Sequence, residues 1–108
     1  MTHLSRLRPL VVTVDLPTPE VCRAILLDTL RRIAQVYPQA ASLQSDPLIA
    51  QAADRAVGLD GRRIRKATLS SLAHSKQIAA NPDLLTAQAV LEAIEHAQAE
   101  RSRLEAKP

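Results

Sequence analysis

Apolar and polar positions along the chain predict one short strand followed by four helices. Residues 10–15 form an apolar, β-branched run that ends before Leu16-Pro17, which is typical of a buried strand. After Thr18 the apolar residues recur every three or four positions, as they do on one face of a helix. This spacing predicts helices over about 19–37, 47–57 and 61–80, and a last helix from about 87 onward.

Each predicted helix follows a residue that can cap it. A side-chain oxygen at this position accepts a hydrogen bond from the first turn, and a proline fits the next position. The predicted caps are Thr18, Asp46, Asp60 and Thr86. The predicted inward faces are Cys22, Leu26, Leu30, Ile33 and Tyr37; Leu48, Ile49, Ala52, Ala53, Ala56 and Val57; Ile64, Thr68, Ser71, Leu72, Ser75, Ile78 and Ala79; and Val90, Leu91, Ile94, Ala97 and Leu104.

The single strand does not fit an otherwise helical chain, because its backbone groups need a neighbouring strand. Either it pairs with another chain, or its sheet belongs to a larger protein, or the run packs as an extended arm across the helices. The predicted fold is therefore mainly α, with one short N-terminal strand followed by a four-helix bundle. We expect an arm over residues 1–17 and a helical domain over residues 18–108, with self-association through strand 10–15.

Composition excludes several classes of site. Of 108 residues, 46% are hydrophobic, but Tyr37 is the only aromatic one, so the core must be aliphatic. The two glycines form neither of the glycine-rich phosphate loops, and the lone Cys22 excludes a disulfide framework and is expected in the core. The three histidines show no ligand spacing, so no metal site is predicted. Without a membrane span or signal peptide, the chain is expected to be cytoplasmic.

Positive charge is concentrated in the middle of the chain. The net charge is +3, and the basic turn, defined here as residues 58–66, holds four of the cations. Arg62 stands near the start of a predicted helix, where unpaired backbone N–H groups attract phosphate and arginine adds further donors. The other interpretation is a solvated turn in which Asp60 only caps the helix.

These motifs together resemble the C-terminal lid of an AAA+ ATPase, closest to the pachytene-checkpoint type, which remodels HORMA-domain proteins. The resemblance covers about residues 10–104. It implies that Arg62 is the sensor-2 residue, which touches the terminal phosphates of ATP, with Gly61 beside it. Arg6 and Arg8 lie near the place of the family's arginine finger, although solvated terminal bases are the other interpretation. The resemblance rests on Leu16-Pro17-Thr18-Pro19-Glu20 and on Gly58-Leu59-Asp60-Gly61-Arg62-Arg63-Ile64-Arg65-Lys66, with Leu72-Ala73-His74 downstream.

The chain lacks the Walker A, Walker B and sensor-1 motifs, so by itself it is not predicted to be an enzyme and has no catalytic residues. The resemblance implies a parent ATPase that binds ATP. It implies three partners: an AAA+ core domain, a neighbouring ring subunit and a HORMA-type substrate. The chain would then be a fragment, a truncated gene product or a freestanding lid. The alternative is a freestanding helical protein-interaction or DNA-binding module that uses the basic turn on phosphates.

Overall fold

The computed structural model describes residues 15–106, and within this range the chain is mainly helical and contains no strand. Predicted strand 10–15, apart from Asp15, lies outside the described residues, as do Arg6 and Arg8. Five α-helices replace the four predicted ones: α1 (Pro19–Val36), α2 (Pro47–Arg55), α3 (Gly61–Ser70), α4 (Lys76–Ala80) and α5 (Ala87–Ala106). Three 3₁₀ segments connect them: Pro38–Ser45, Ser71–Ala73 and Pro82–Leu84.

The predicted helix starts are confirmed. Every cap accepts a hydrogen bond from a backbone N–H of the helix that follows. The four bonds are Val21 N to Thr18 Oγ1 (3.3 Å), Leu48 N to Asp46 Oδ1 (2.8 Å), Arg63 N to Asp60 Oδ1 (2.8 Å) and Ala89 N to Thr86 Oγ1 (3.1 Å).

The prediction of one continuous helix over 61–80 is wrong, because the helix breaks in a serine-rich stretch. The Ser70 and Ser71 hydroxyls donate to the carbonyls three residues earlier, at 2.7 and 2.5 Å. Ser75 has extended backbone angles and accepts a hydrogen bond from the Ile78 N–H at 3.1 Å, which starts α4. Serine side chains compete in this way with the main-chain ladder, so they favour helix ends over helix interiors.

One aliphatic core joins the helices. α1 packs on α2 and α3, and α5 packs across the same two helices. Cys22 is fully buried in this core, as expected. Three predicted core positions, Val57, Ala79 and Leu104, are exposed instead. The largest fully buried side chains include Leu26, Leu30, Ile49, Leu59, Ile64, Val90 and Ile94.

The exposed positions have local causes. Val57 lies in the turn after α2 has ended, and Ala79 lies in the five-residue α4. Leu104, 57% exposed, lies near the end of α5, where side chains of α3 line an open cleft beside it. Within the described range, no helix is both long enough and apolar enough to cross a membrane.

Candidate functional site

The basic turn connects the end of α2 to the first turns of α3, and two apolar side chains hold it in place. Leu59 and Ile64 are both fully buried in the core. Between them, Asp60 caps α3 through the Arg63 N–H. The cations of the turn therefore project from a backbone that is anchored on both sides.

The two glycines of the turn have different local surroundings: the backbone angle favours glycine at position 58, and a neighbouring helix lies close to position 61. Gly58 has a φ of +104°, a conformation that other residues rarely adopt, and it reverses the chain after α2. A Cβ on Gly61 would lie 3.2 Å from Ile25 Cδ1 on α1. The backbone at Gly61 thus approaches a neighbouring helix of the same chain. Its predicted role next to a nucleotide stays a prediction that no observation tests.

Arg62 is exposed, and among the described residues it has no ion-pair partner. Its neighbour Arg63 places Nε 3.8 Å from Asp60 Oδ2. Arg65 is also exposed, and its guanidinium lies beside Gly61 at the start of α3. The structure therefore leaves the Arg62 guanidinium available to a ligand.

An open cleft of about 270 Å³ lies between α3 and α5, next to the basic turn. Arg63, Lys66 and Ala67 line it from α3. The side contributed by α5 consists of His96, Ala97, Glu100, Arg101 and Leu104. Two cations of the basic turn therefore face α5, whereas Arg62 does not line the cleft.

Side chains of α5 also hold the loop that carries the basic turn. Gln98 Nε2 donates to the carbonyls of Arg55 and Val57, at 2.7 and 2.8 Å, and so satisfies the end of α2. Arg101 Nε donates to Gln98 Oε1 at 3.0 Å and orients the amide. Sequence reasoning missed both residues. It had no signal for them, because Gln98 bonds backbone groups more than forty residues earlier.

A second polar cluster lies at the other end of α5. His74 Nε2 is 2.7 Å from Glu92 Oε1, and Gln88 Nε2 donates to Glu92 Oε2 at 2.8 Å. Two hydrogen bonds lower the pKa of Glu92 below its ordinary value. The bond from Gln88 has the larger effect, and the bond from His74 has the next largest. Sequence spacing did not predict this pair, because the two residues are eighteen positions apart. Residues 15–106 contain no group of three or more potential metal ligands.

Comparison with known proteins matches the chain to a curated relative. The chain is 36% identical over 96 residues to CD-NTase-associated protein 6 of Pseudomonas aeruginosa. The match covers 89% of this chain and 31% of that protein, so the chain spans about a third of the relative's length. No family model matches the chain, and no solved structure matches it.

These comparisons contradict the interpretation of the chain as an AAA+ lid. The relative is named for its association with a CD-NTase and not as an ATPase lid. Local structure accounts for three of the motif residues, because Thr18 and Asp60 cap helices and Gly58 supplies a positive φ. The interpretation of the chain as an AAA+ lid is therefore wrong. No observation tests the sensor-2 role of Arg62, the binding of ATP, or the AAA+ core, ring-subunit and HORMA-type partners, and these stay predictions. The freestanding interaction or DNA-binding module is not favoured by any comparison either.

Proposed function

We propose that this chain is a helical part of a CD-NTase-associated protein and contributes to association with a CD-NTase. The observation that carries the proposal is the extent of the match, which is 36% identity over 89% of the chain. A match of this length takes in most of the helical bundle rather than one helix or loop. The proposal concerns the part of such a protein that this chain represents, about a third of the relative's length.

The described surface suits association with a partner. Arg62 and Lys66 are exposed, and neither has an ion-pair partner among the described residues. Arginine is enriched at protein interfaces because its guanidinium offers several donors in a fixed plane. These cations project from an anchored turn. Because the backbone is already held in place, less conformational entropy is lost when a partner binds.

Competition tests this proposal. The full chain is titrated into a complex between CD-NTase-associated protein 6 of Pseudomonas aeruginosa and the CD-NTase with which it associates. We expect the chain to bind the CD-NTase, to displace the relative, and to co-elute with the CD-NTase in size-exclusion chromatography. An unrelated helical protein with a similar pI, near 9.6, controls for attraction by charge alone. Absence of displacement and of a complex, or equal displacement by the control protein, would contradict the proposal.

A further inference from the structure

The cleft between α3 and α5 offers apolar surface where the sequence predicted a covered core. The apolar residues of its lining, together called the floor, are Ala67, Ala97 and Leu104. Leu104 is 57% exposed although it follows the helical spacing of the buried residues on α5. When a partner covers an exposed aliphatic side chain, apolar surface is removed from water and the complex is stabilised.

The charged residues of the same lining, together called the rim, are predominantly positive. Arg63, Lys66 and Arg101 carry permanent positive charges, whereas Glu100 is the one carboxylate in the lining. Glu100 Oε2 already lies 3.4 Å from Arg103 Nη2 and 3.8 Å from His96 Nε2. Arg63 lies 3.8 Å from Asp60, and Arg101 lies 3.0 Å from Glu105. An acidic ligand would therefore meet its uncompensated positive charge at Lys66, beside the apolar floor.

Two cations differ in how firmly they are held. Arg101 is fixed by Gln98 and by Glu105, whose Oε2 lies 3.0 Å from Nη1. Lys66 is exposed and, within residues 15–106, has no carboxylate partner. Lys66 is thus the cation whose charge a ligand can neutralise without breaking a bond inside the chain.

We infer that this cleft binds an acidic protein segment that carries an apolar side chain. The apolar side chain packs against Leu104, and flanking carboxylates face Lys66 and Arg63. The inference rests on the proposed function in one respect, namely that the ligand is a protein. At about 270 Å³ the cleft lies just below the range of about 300–1,000 Å³ of small-molecule pockets, so it suits a side chain of a longer segment.

Nucleic acid fits this surface less well. A phosphate backbone would satisfy the rim but leave the apolar floor uncovered. The lining contains no Phe, Tyr or Trp, the side chains that stack most strongly on bases, and His96 supplies its single ring. Tyr37, the only Phe, Tyr or Trp of the chain, follows the end of α1.

The test titrates the full chain into two fluorescent peptides and follows anisotropy. Both peptides are rich in glutamate; one has a leucine at its centre and the other has serine there. We expect the leucine peptide to bind roughly tenfold more tightly, and its binding to weaken as salt is raised. Equal affinity for the two peptides, or no binding of either, would overturn the inference.

Matched variants assign the binding to the cleft. Lys66→Glu and Leu104→Gln should each weaken binding of the leucine peptide by roughly fivefold or more. The controls are Lys76→Glu on α4 and Leu69→Gln on α3, which lie outside the cleft lining and are exposed. Circular dichroism checks that all four variants are folded. Equal losses in the controls would overturn the inference, as would equally effective competition by single-stranded DNA.

The two proposals can fail separately. If the chain associates with the CD-NTase but binds neither peptide, the assignment of the cleft is wrong and the proposed function stands. If the leucine peptide binds through Lys66 and Leu104 while no complex with the CD-NTase forms, the cleft assignment stands and the proposed function is wrong.

Discussion

Glu92 shows how one exposed side chain connects two parts of the fold. It lies on α5 and accepts hydrogen bonds from Gln88, one turn earlier, and from His74, beside the 3₁₀ segment Ser71–Ala73. The bond to His74 joins the stretch between α3 and α4 to α5. Because both bonds favour the ionised carboxylate, they lower the pKa of Glu92.

The lowered pKa predicts how this residue affects stability in acid. In the unfolded chain Glu92 titrates near the ordinary value of 4.5, so the unfolded state takes up the proton first as pH falls. The stabilising contribution is fully present above that value and is lost as pH falls through the lower pKa of the folded state. We expect a carboxyl-detected NMR titration to give a midpoint for Glu92 below 4.5.

Gln88→Ala should move this midpoint upward, because it removes the largest cause of the shift. The matched control is Gln51→Ala, since Gln51 is exposed on α2 and contributes nothing to the shift of Glu92. A midpoint at or above the ordinary value in the unmodified chain would contradict the prediction. An unchanged midpoint in Gln88→Ala would assign the shift to His74 instead.

At the scale of elements, the sequence was most informative where partners are close along the chain. Thr18 and Asp60 cap their helices as predicted, because each cap and its partner are three residues apart. The break at Ser71 was missed, since a serine on the inward face fits a helix pattern until its hydroxyl bonds the backbone. The hydrogen bonds by which Gln98 holds the end of α2 could not be predicted, because the carbonyls that accept them are more than forty residues away in the sequence.

Gly58 tests whether a single backbone angle maintains the turn between α2 and α3. Gly58→Ala places a Cβ on a residue with a φ of +104°, which is strained whatever the space around it. We expect the free energy of unfolding to fall by about 1–2 kcal/mol. Urea denaturation followed by circular dichroism measures this change.

Gly61→Ala is the control, because Gly61 is the first residue of α3 and has no positive φ. Its new Cβ would meet only the end of the flexible Ile25 side chain, at 3.2 Å, while alanine favours the helix. The cost should therefore be smaller than at Gly58. Equal costs at the two glycines would show that crowding, and not the backbone angle, governs the turn.

At the scale of the whole molecule, the core and the cleft differ in how far sequence could predict them. The aliphatic core follows from periodicity, since Leu26, Leu30 and Ile94 are buried as expected. The basic turn was also visible, because its four cations lie within five consecutive residues. The cleft was not visible in the sequence, because it combines side chains of α3 and α5 that lie about thirty to forty positions apart. Only the packing of the two helices shows that Leu104 faces cations instead of the core.

Substitutions at Leu26 and Leu104 test whether the first belongs to the buried core and the second to the open cleft. Leu26 is fully buried in α1, so Leu26→Ala should cost about 2–5 kcal/mol through lost burial and a cavity. That is a large part of the total stability of about 5–15 kcal/mol expected for a domain. Leu104→Ala should change the free energy of unfolding by only about 0.5 kcal/mol, because little packing is lost at an exposed position. The two variants are compared with the unmodified chain by urea denaturation. A cost at Leu104 as large as that at Leu26 would show that Leu104 is covered in solution, and the apolar floor of the cleft would then be closed to any partner.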